Sequence, residues 1–406
     1  MADNTIKSGA LEGIRIVDLT TVVMGPYAAQ ILGDFGADVI KVEAPPGGDI
    51  SRYAGPTRSK GMGALFLHLN RNKRSIVLDL KKGEGLEAML RLCRTADVII
   101  YNVRPQAMER LGLGYDHIRK VNPHVIYAGL FGFGRRGPYA AKPAYDDLIQ
   151  GLSGFSATAA RVSGDVPRYL PVNFVDRTTG IYAVGTILAA LFHRERTGEG
   201  QAIDIPMFET MAQFILGENL YGESFIPSRG TTGYDRLLAP ERRPYATKDG
   251  YICAVLYNDK QWETFFIITG NGDIFRHNQQ FRTFTGRTQC INELYGFAGK
   301  VFKTRTTTEW IELLTKADIP VAPLNTLDSL LQDPHLLATD FFRVVEHPSE
   351  GTIRLMRSPT EWSETPPQIR RHVPRLGEQS AEILGELGYS PDEISDMFEK
   401  EVTKAV

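Results

Sequence analysis

The sequence predicts an α/β fold: a Rossmann-like large unit on a mainly parallel sheet with helices on its faces, and a smaller α/β unit beside it in the chain. Three observations predict it. Short β-branched runs alternate with amphipathic helical stretches over the first 135 residues. The 406 residues exceed one core of ordinary size, at about 150 residues per domain. A weakly periodic segment rich in Gly, Arg and Pro, from Pro227 to Pro244, then leads into a second set of elements.

In chain order, Ile14–Asp18 predicts a strand, and Gly25–Phe35 a helix with Pro26 suited to its first turn. Asp38–Glu43 and Ser75–Leu80 predict the next strands. A helix over Gly85–Thr95 follows, with Leu86, Met89, Leu90 and Cys93 on one face. Asp97–Tyr101 and Val125–Leu130 complete the alternation. From Tyr145 to about Glu223 the pattern is helical, interrupted by one strand at Gln201–Ile205. The smaller unit opens with a strand at Tyr251–Tyr257 and a helix from Lys260. A capping box, Thr306-x-x-Glu309, announces a later helix. After Pro320-Val-Ala-Pro323 come a helical stretch, a strand pair at Arg343–Glu346 and Thr352–Arg357, and a helical tail.

Charge excludes some functions. Lys+Arg total 46 against 48 Asp+Glu, and broad nucleic-acid or membrane-surface binding needs an excess of positive charge. Cys93, Cys253 and Cys290 are far apart and fit no CxxC spacing, so a disulfide framework is not expected and a reducing compartment is. The opening Met-Ala-Asp-Asn-Thr-Ile-Lys has no apolar run, and the longest apolar stretch, Ile181–Phe192, is short for a membrane span. The expectation is a cytoplasmic protein.

Two short motifs are decoys. Gly132-Phe-Gly-Arg-Arg-Gly137 matches a dinucleotide fingerprint after a strand, but Pro138 and Pro143 forbid the helix that would face a pyrophosphate. Asp34-Phe35-Gly36 sits inside a helical pattern and lacks its partner motifs. No zinc spacing, phosphate loop or nucleophile elbow occurs, so no metal site is expected. Two basic stretches remain. Arg71, Lys73 and Arg74 precede a strand and read as a solvated loop; Arg104 and Arg110 follow one, where ligands of parallel sheets collect. Asp176 precedes a strong helical run, whose positive end favours an ionised, nucleophilic carboxylate. Acids at such places are commonly N-caps, and position alone does not separate Asp176 from the chain's other aspartates.

The wording of the chain does. Leu11-Glu-Gly-Ile-Arg-Ile-Val-Asp-Leu-Thr20, Gly25-Pro26 and Leu32-Gly-Asp-Phe-Gly-Ala-Asp-Val-Ile-Lys-Val-Glu43 closely resemble the opening of class III CoA-transferases, the family of carnitine-CoA and formyl-CoA transferases. Gly48-Asp49, Asn70–Lys81, Leu111–Tyr115, Ala144-Tyr145-Asp146, Asp176 with Gly180, Arg196–Gln201 and Lys248–Ile252 continue the resemblance across nearly the whole chain.

The resemblance implies a Rossmann-like large domain from residues 1–225 and 329–406, with a small domain at 226–328 inserted between, and an interlocked dimer of ring-like chains. It implies CoA transfer from an acyl-CoA donor to a carboxylic acid, through an aspartyl-CoA thioester on Asp176, with CoA as substrate and no tightly bound cofactor. CoA contacts carry over to Val23, Met24, Leu78, Lys81, Asn102, Val103, Arg104, Arg110 and the stretch Lys142 to Tyr145. Ala44 and Val23 replace an Arg and a Gln of formyl-CoA transferases, and residues 217–233 lack a run of glycines, which speaks against formate and oxalate. The family's acyl-CoA racemases pair the aspartate with a His. Tyr145 stands there instead, a poor base at neutral pH, so transfer is favoured over racemisation. Arg52, Arg161, Arg229, Arg236, Arg242 and Arg243 are candidates for a second carboxylate of a dicarboxylic acceptor.

Overall fold

The computed structural model describes residues 9–405; the opening segment read above lies outside them. The chain divides into two compact units. One comprises the residues up to Ser153, Leu170–Met211 and those from His335 onward; the other comprises Gly154–Tyr169 and Ala212–Pro334.

The first unit is built on β1 (Arg15–Leu19), β2 (Asp38–Glu43), β3 (Lys73–Val77), β4 (Val98–Tyr101), β5 (Ile126–Phe131) and β6 (Gln201–Pro206), all parallel, in the order β3-β2-β1-β4-β5-β6. A parallel sheet covered on both faces needs strands apolar on both sides, and every residue of β4 and β5 is buried. Val17 pairs with Ile40 on one side and Ile99 on the other. This row continues into a core with Ala88, Met89, Leu92 and Cys93 of the helix Gly83–Arg94. Strand order reverses between β1 and β4, so the chain segments leaving these two strands diverge and open a crevice at their carboxyl ends.

β3 departs from expectation. It begins at Lys73 rather than Ser75, and Arg71, Lys73 and Arg74 are at most 5% exposed. Each meets an acid: Arg71 meets Asp34 at 2.7 Å, Lys73 meets Asp18 at 2.8 Å, and Arg74 meets Asp38 at 2.6 Å. The solvated basic loop is therefore a buried, paired segment, because the acids that neutralise it come from distant positions.

Helix α1 (Met24–Asp34) follows β1 and packs on the long helix α3 (Phe174–Thr197); α2 (Asp146–Leu152) also contacts α3. A hairpin, Phe342–His347 with Gly351–Met356, also belongs to this unit.

The second unit packs Trp262, Phe265, Phe266, Phe302 and Trp310 against a small antiparallel sheet of Tyr245–Ala246, Tyr251–Ala254 and Val321–Pro323. The Thr306–Glu309 capping box is present. The strand at Val321–Pro323 was not expected, since prolines at both of its borders hide its pattern. Among the described residues no helix is long and apolar enough to cross a membrane, and no cluster of His, Cys, Asp or Glu is suited to a metal.

Candidate active site

At the β1/β4 reversal lies a cleft of about 280 Å³, lined by residues from the ends of β1, β4 and β5, from the segment at Lys142–Tyr145, and by Asp176. Its β1 lip, Thr20–Pro26, is held from beneath by charges buried in the sheet. The Asp49 carboxylate accepts from the Val22 N–H (3.1 Å) and from Lys41 Nζ (2.9 Å), and the same Nζ donates to the Thr20 carbonyl at 2.8 Å. Lys73 Nζ donates to Asp18, to Asn70 Oδ1 and to the Pro26 carbonyl, all within 2.9 Å. Val22 needs this grip: its φ of 74° lies in the left-handed region, costly for a β-branched residue. Burial works against the charge on Asp18 and Asp49, but the lysines beside them win and hold both carboxyls below their ordinary range. Burial pushes Lys73 down to about 8, with Asp18 opposing.

Across the crevice Asn102 completes the lip. Its Oδ1 accepts from the Thr21 N–H at 3.1 Å and its Nδ2 donates to the Thr21 carbonyl at 2.9 Å, tying the two diverging segments together.

Asp176 is the third residue of α3. One turn on, Gly180 faces α1: a Cβ there would stand 2.8 Å from the Met24 carbonyl oxygen. The missing side chain lets α3 approach α1, and i,i+4 spacing puts Asp176 on the same face. The expected ionisation by the helix end is corrected by Asp146. Its carboxylate already accepts the Asp176 N–H at 2.9 Å, and Gln150 Nε2 fixes it at 2.6 Å. Burial, reinforced by the Asp146 charge and opposed by Arg177, pushes the Asp176 carboxyl up to about 7. The side-chain oxygens of Asp176 have no hydrogen-bond partner among the described residues.

Arg104 and Lys142 bring positive charge to the rim, Lys142 resting 4.0 Å from the Tyr139 ring centre. The glycine-rich segment set aside as a dinucleotide motif lies here too. Gly132 and Phe133 line the cleft, and a Cβ on Gly132 would stand 2.1 Å from that of Ala144. Gly132 thus lets the Lys142–Tyr145 segment close over the end of β5.

Residues 11–380 match the family described as CoA-transferase family III. The chain belongs to that family. This CoA-transferase is 36% identical over 402 residues to the succinate–glutarate CoA-transferase of Agrobacterium fabrum, covering 95% of this chain and 98% of that one. It is 32% identical over 387 residues to human succinyl-CoA:glutarate CoA-transferase, covering 95% and 87%. Among solved structures, a CaiB/BaiF family protein from Brucella suis superposes with a TM-score of 0.79 at 31% identity, covering 94% of this chain and all of that one.

Of the residues singled out in the sequence, Val23, Met24, Asn102, Arg104, Lys142, Tyr145 and Asp176 line the cleft of this CoA-transferase. Four do not. Leu78 is fully enclosed in the core, and Lys81, Val103 and Arg110 are exposed outside the lining. Sequence reading missed Phe131, Phe133, Arg135 and Met207, which also line it. The glycine pattern after β5 was the available signal for the middle two. Arg135 is engaged by Asp204 at 2.6 Å.

Proposed function

We propose that the enzyme moves CoA from an acyl-CoA donor to a free dicarboxylic acid through a covalent thioester on Asp176. A side-chain oxygen of Asp176 attacks the donor's thioester carbonyl; the C–S bond breaks, leaving a mixed anhydride and CoA thiolate. The thiolate attacks Cγ of Asp176 and expels the donor as a carboxylate, leaving aspartyl-CoA. The acceptor carboxylate attacks that Cγ, thiolate departs, and its attack on the acceptor's carbonyl frees Asp176 again. No net proton or electron is required.

The observation that carries this reading is one half-buried, unpartnered carboxyl in the cleft, poised near neutrality. A carboxylate of raised basicity is a better nucleophile than an ordinary one and is still substantially ionised at pH 7. Arg104 and Lys142 suit the anionic part of CoA, with Val23, Met24 and Tyr145 along the same wall; we keep Lys81, Val103 and Arg110 for its distal, nucleotide end. Asn102 acts by holding Thr21. For Leu78, enclosure leaves only an indirect part. Dicarboxylic acceptors are supported by the names of the relatives from Agrobacterium fabrum and human.

We also propose that two chains form the interlocked pair implied by the resemblance. Ile181, Tyr182 and Phe192 on α3 are more than half exposed, on a helix apolar around much of its girth, as suits a surface covered by a second copy. Sedimentation at micromolar concentration should give a dimer.

The reaction is tested by following CoA exchange between succinyl-CoA and glutarate. The wild-type protein should exchange and Asp176→Ala should not. Exchange by Asp176→Ala at the wild-type rate refutes the covalent route.

A further inference from the structure

The second unit carries a separate cavity of about 260 Å³, open to Arg236, Arg242 and Arg243. Its lining, three arginines over an apolar surface, is what indicates the ligand. Its floor is apolar, from the buried Leu256 and the rings of Tyr245 and Tyr295. The floor is firmly built: Tyr245 stacks on Phe302 at 4.7 Å, and the turn carrying Arg242 is held by Glu241 N–H donating to Asn292 Oδ1 at 3.1 Å.

The charges are unbalanced. Arg243 is answered by Glu241 at 2.9 Å. Arg236 lies 4.9 Å from the Tyr257 ring centre, which orients its guanidinium, and neither it nor Arg242 has a carboxylate partner among the described residues. Two unanswered guanidiniums beside an apolar floor complement two carboxylates joined by a short methylene chain. A monoacid would leave one cation unmatched.

We propose that this cavity binds a small dicarboxylate, with Arg236 and Arg242 taking its two ends and the floor taking its methylenes. The site is separate from the cleft at Asp176, and with both carboxylates engaged its ligand is held rather than reacting, so the inference goes beyond the proposed reaction.

Cys253 lines the cavity and reports occupancy without turnover. Alkylation of Cys253 by iodoacetamide, read by peptide mass spectrometry, should slow at least about threefold with millimolar glutarate and be unaffected by valerate. The Arg236→Gln/Arg242→Gln variant should lose this protection. In direct titration the same variant should bind glutarate about tenfold or more weakly, the worth of a charge-assisted contact, and leave the acylation of Asp176 unchanged. Absence of glutarate protection overturns the inference, as does protection by adenosine 3′,5′-bisphosphate in its place, or undiminished glutarate binding by the variant. Glutarate protection in a protein without exchange activity would uphold the site and refute the reaction; exchange without protection would do the reverse.

Discussion

Two kinds of carboxylate share the first unit and are treated in opposite ways: fully enclosed ones and a half-buried one in the cleft. Asp18 and Asp49 are each within 2.9 Å of a lysine ammonium, with neither partner exposed, and are held ionised. Asp176 lies in the cleft they help to shape, has no such partner, and meets the Asp146 charge instead. The first set fixes a backbone; the second leaves a reactive group unsatisfied. Ammonium partners hold the first two ionised, while Asp176 is left without one and available for chemistry.

The contrast can be broken at either end. Asp176→Asn should have the largest effect, lowering kcat for exchange about a thousandfold or more, as loss of a nucleophile does. The same change should stabilise the fold. Because the folded pKa is raised, the wild-type protein loses stability as pH rises from the ordinary carboxyl range through about 7. The variant should therefore gain about 2 kcal/mol at pH 8 in denaturant titrations and nothing at pH 3.

Lys41→Met should do the reverse of that stabilisation. It strands Asp49 and frees the Thr20 and Val22 backbone, at a cost of about 3–5 kcal/mol in unfolding free energy. Gly180→Ala should be milder. The new methyl meets the Met24 carbonyl, so α3 must shift, costing about 1–3 kcal/mol and lowering kcat more than it raises KM for acyl-CoA.

The smallest effect sharpens the comparison most. In the wild type, kcat/KM for acyl-CoA should fall below pH about 7 as Asp176 protonates. Asp146→Asn removes the neighbouring charge and should move that acid limb to lower pH; an unmoved limb would mean burial alone sets it.

Much of this was legible in the residues, for reasons that also explain the gaps. β2 was readable to its ends because a run such as Val39-Ile-Lys-Val42 is flanked by turn chemistry. β3 was misplaced because its Lys73 and Arg74 look solvated until Asp18 and Asp38 arrive from other strands. Asp176 was marked only by resemblance to a family; one aspartate near a helix start resembles many. Its elevated pKa was not legible at all, since it depends first on desolvation in the cleft and then on Asp146, thirty positions earlier, occupying the α3 amide.

The most direct test is to incubate the protein with succinyl-CoA alone, quench, and analyse the peptide containing Asp176 by mass spectrometry. The proposed route predicts a CoA adduct on Asp176 that disappears when glutarate is added. An unmodified peptide during active exchange, or CoA attached at any other residue, would contradict it.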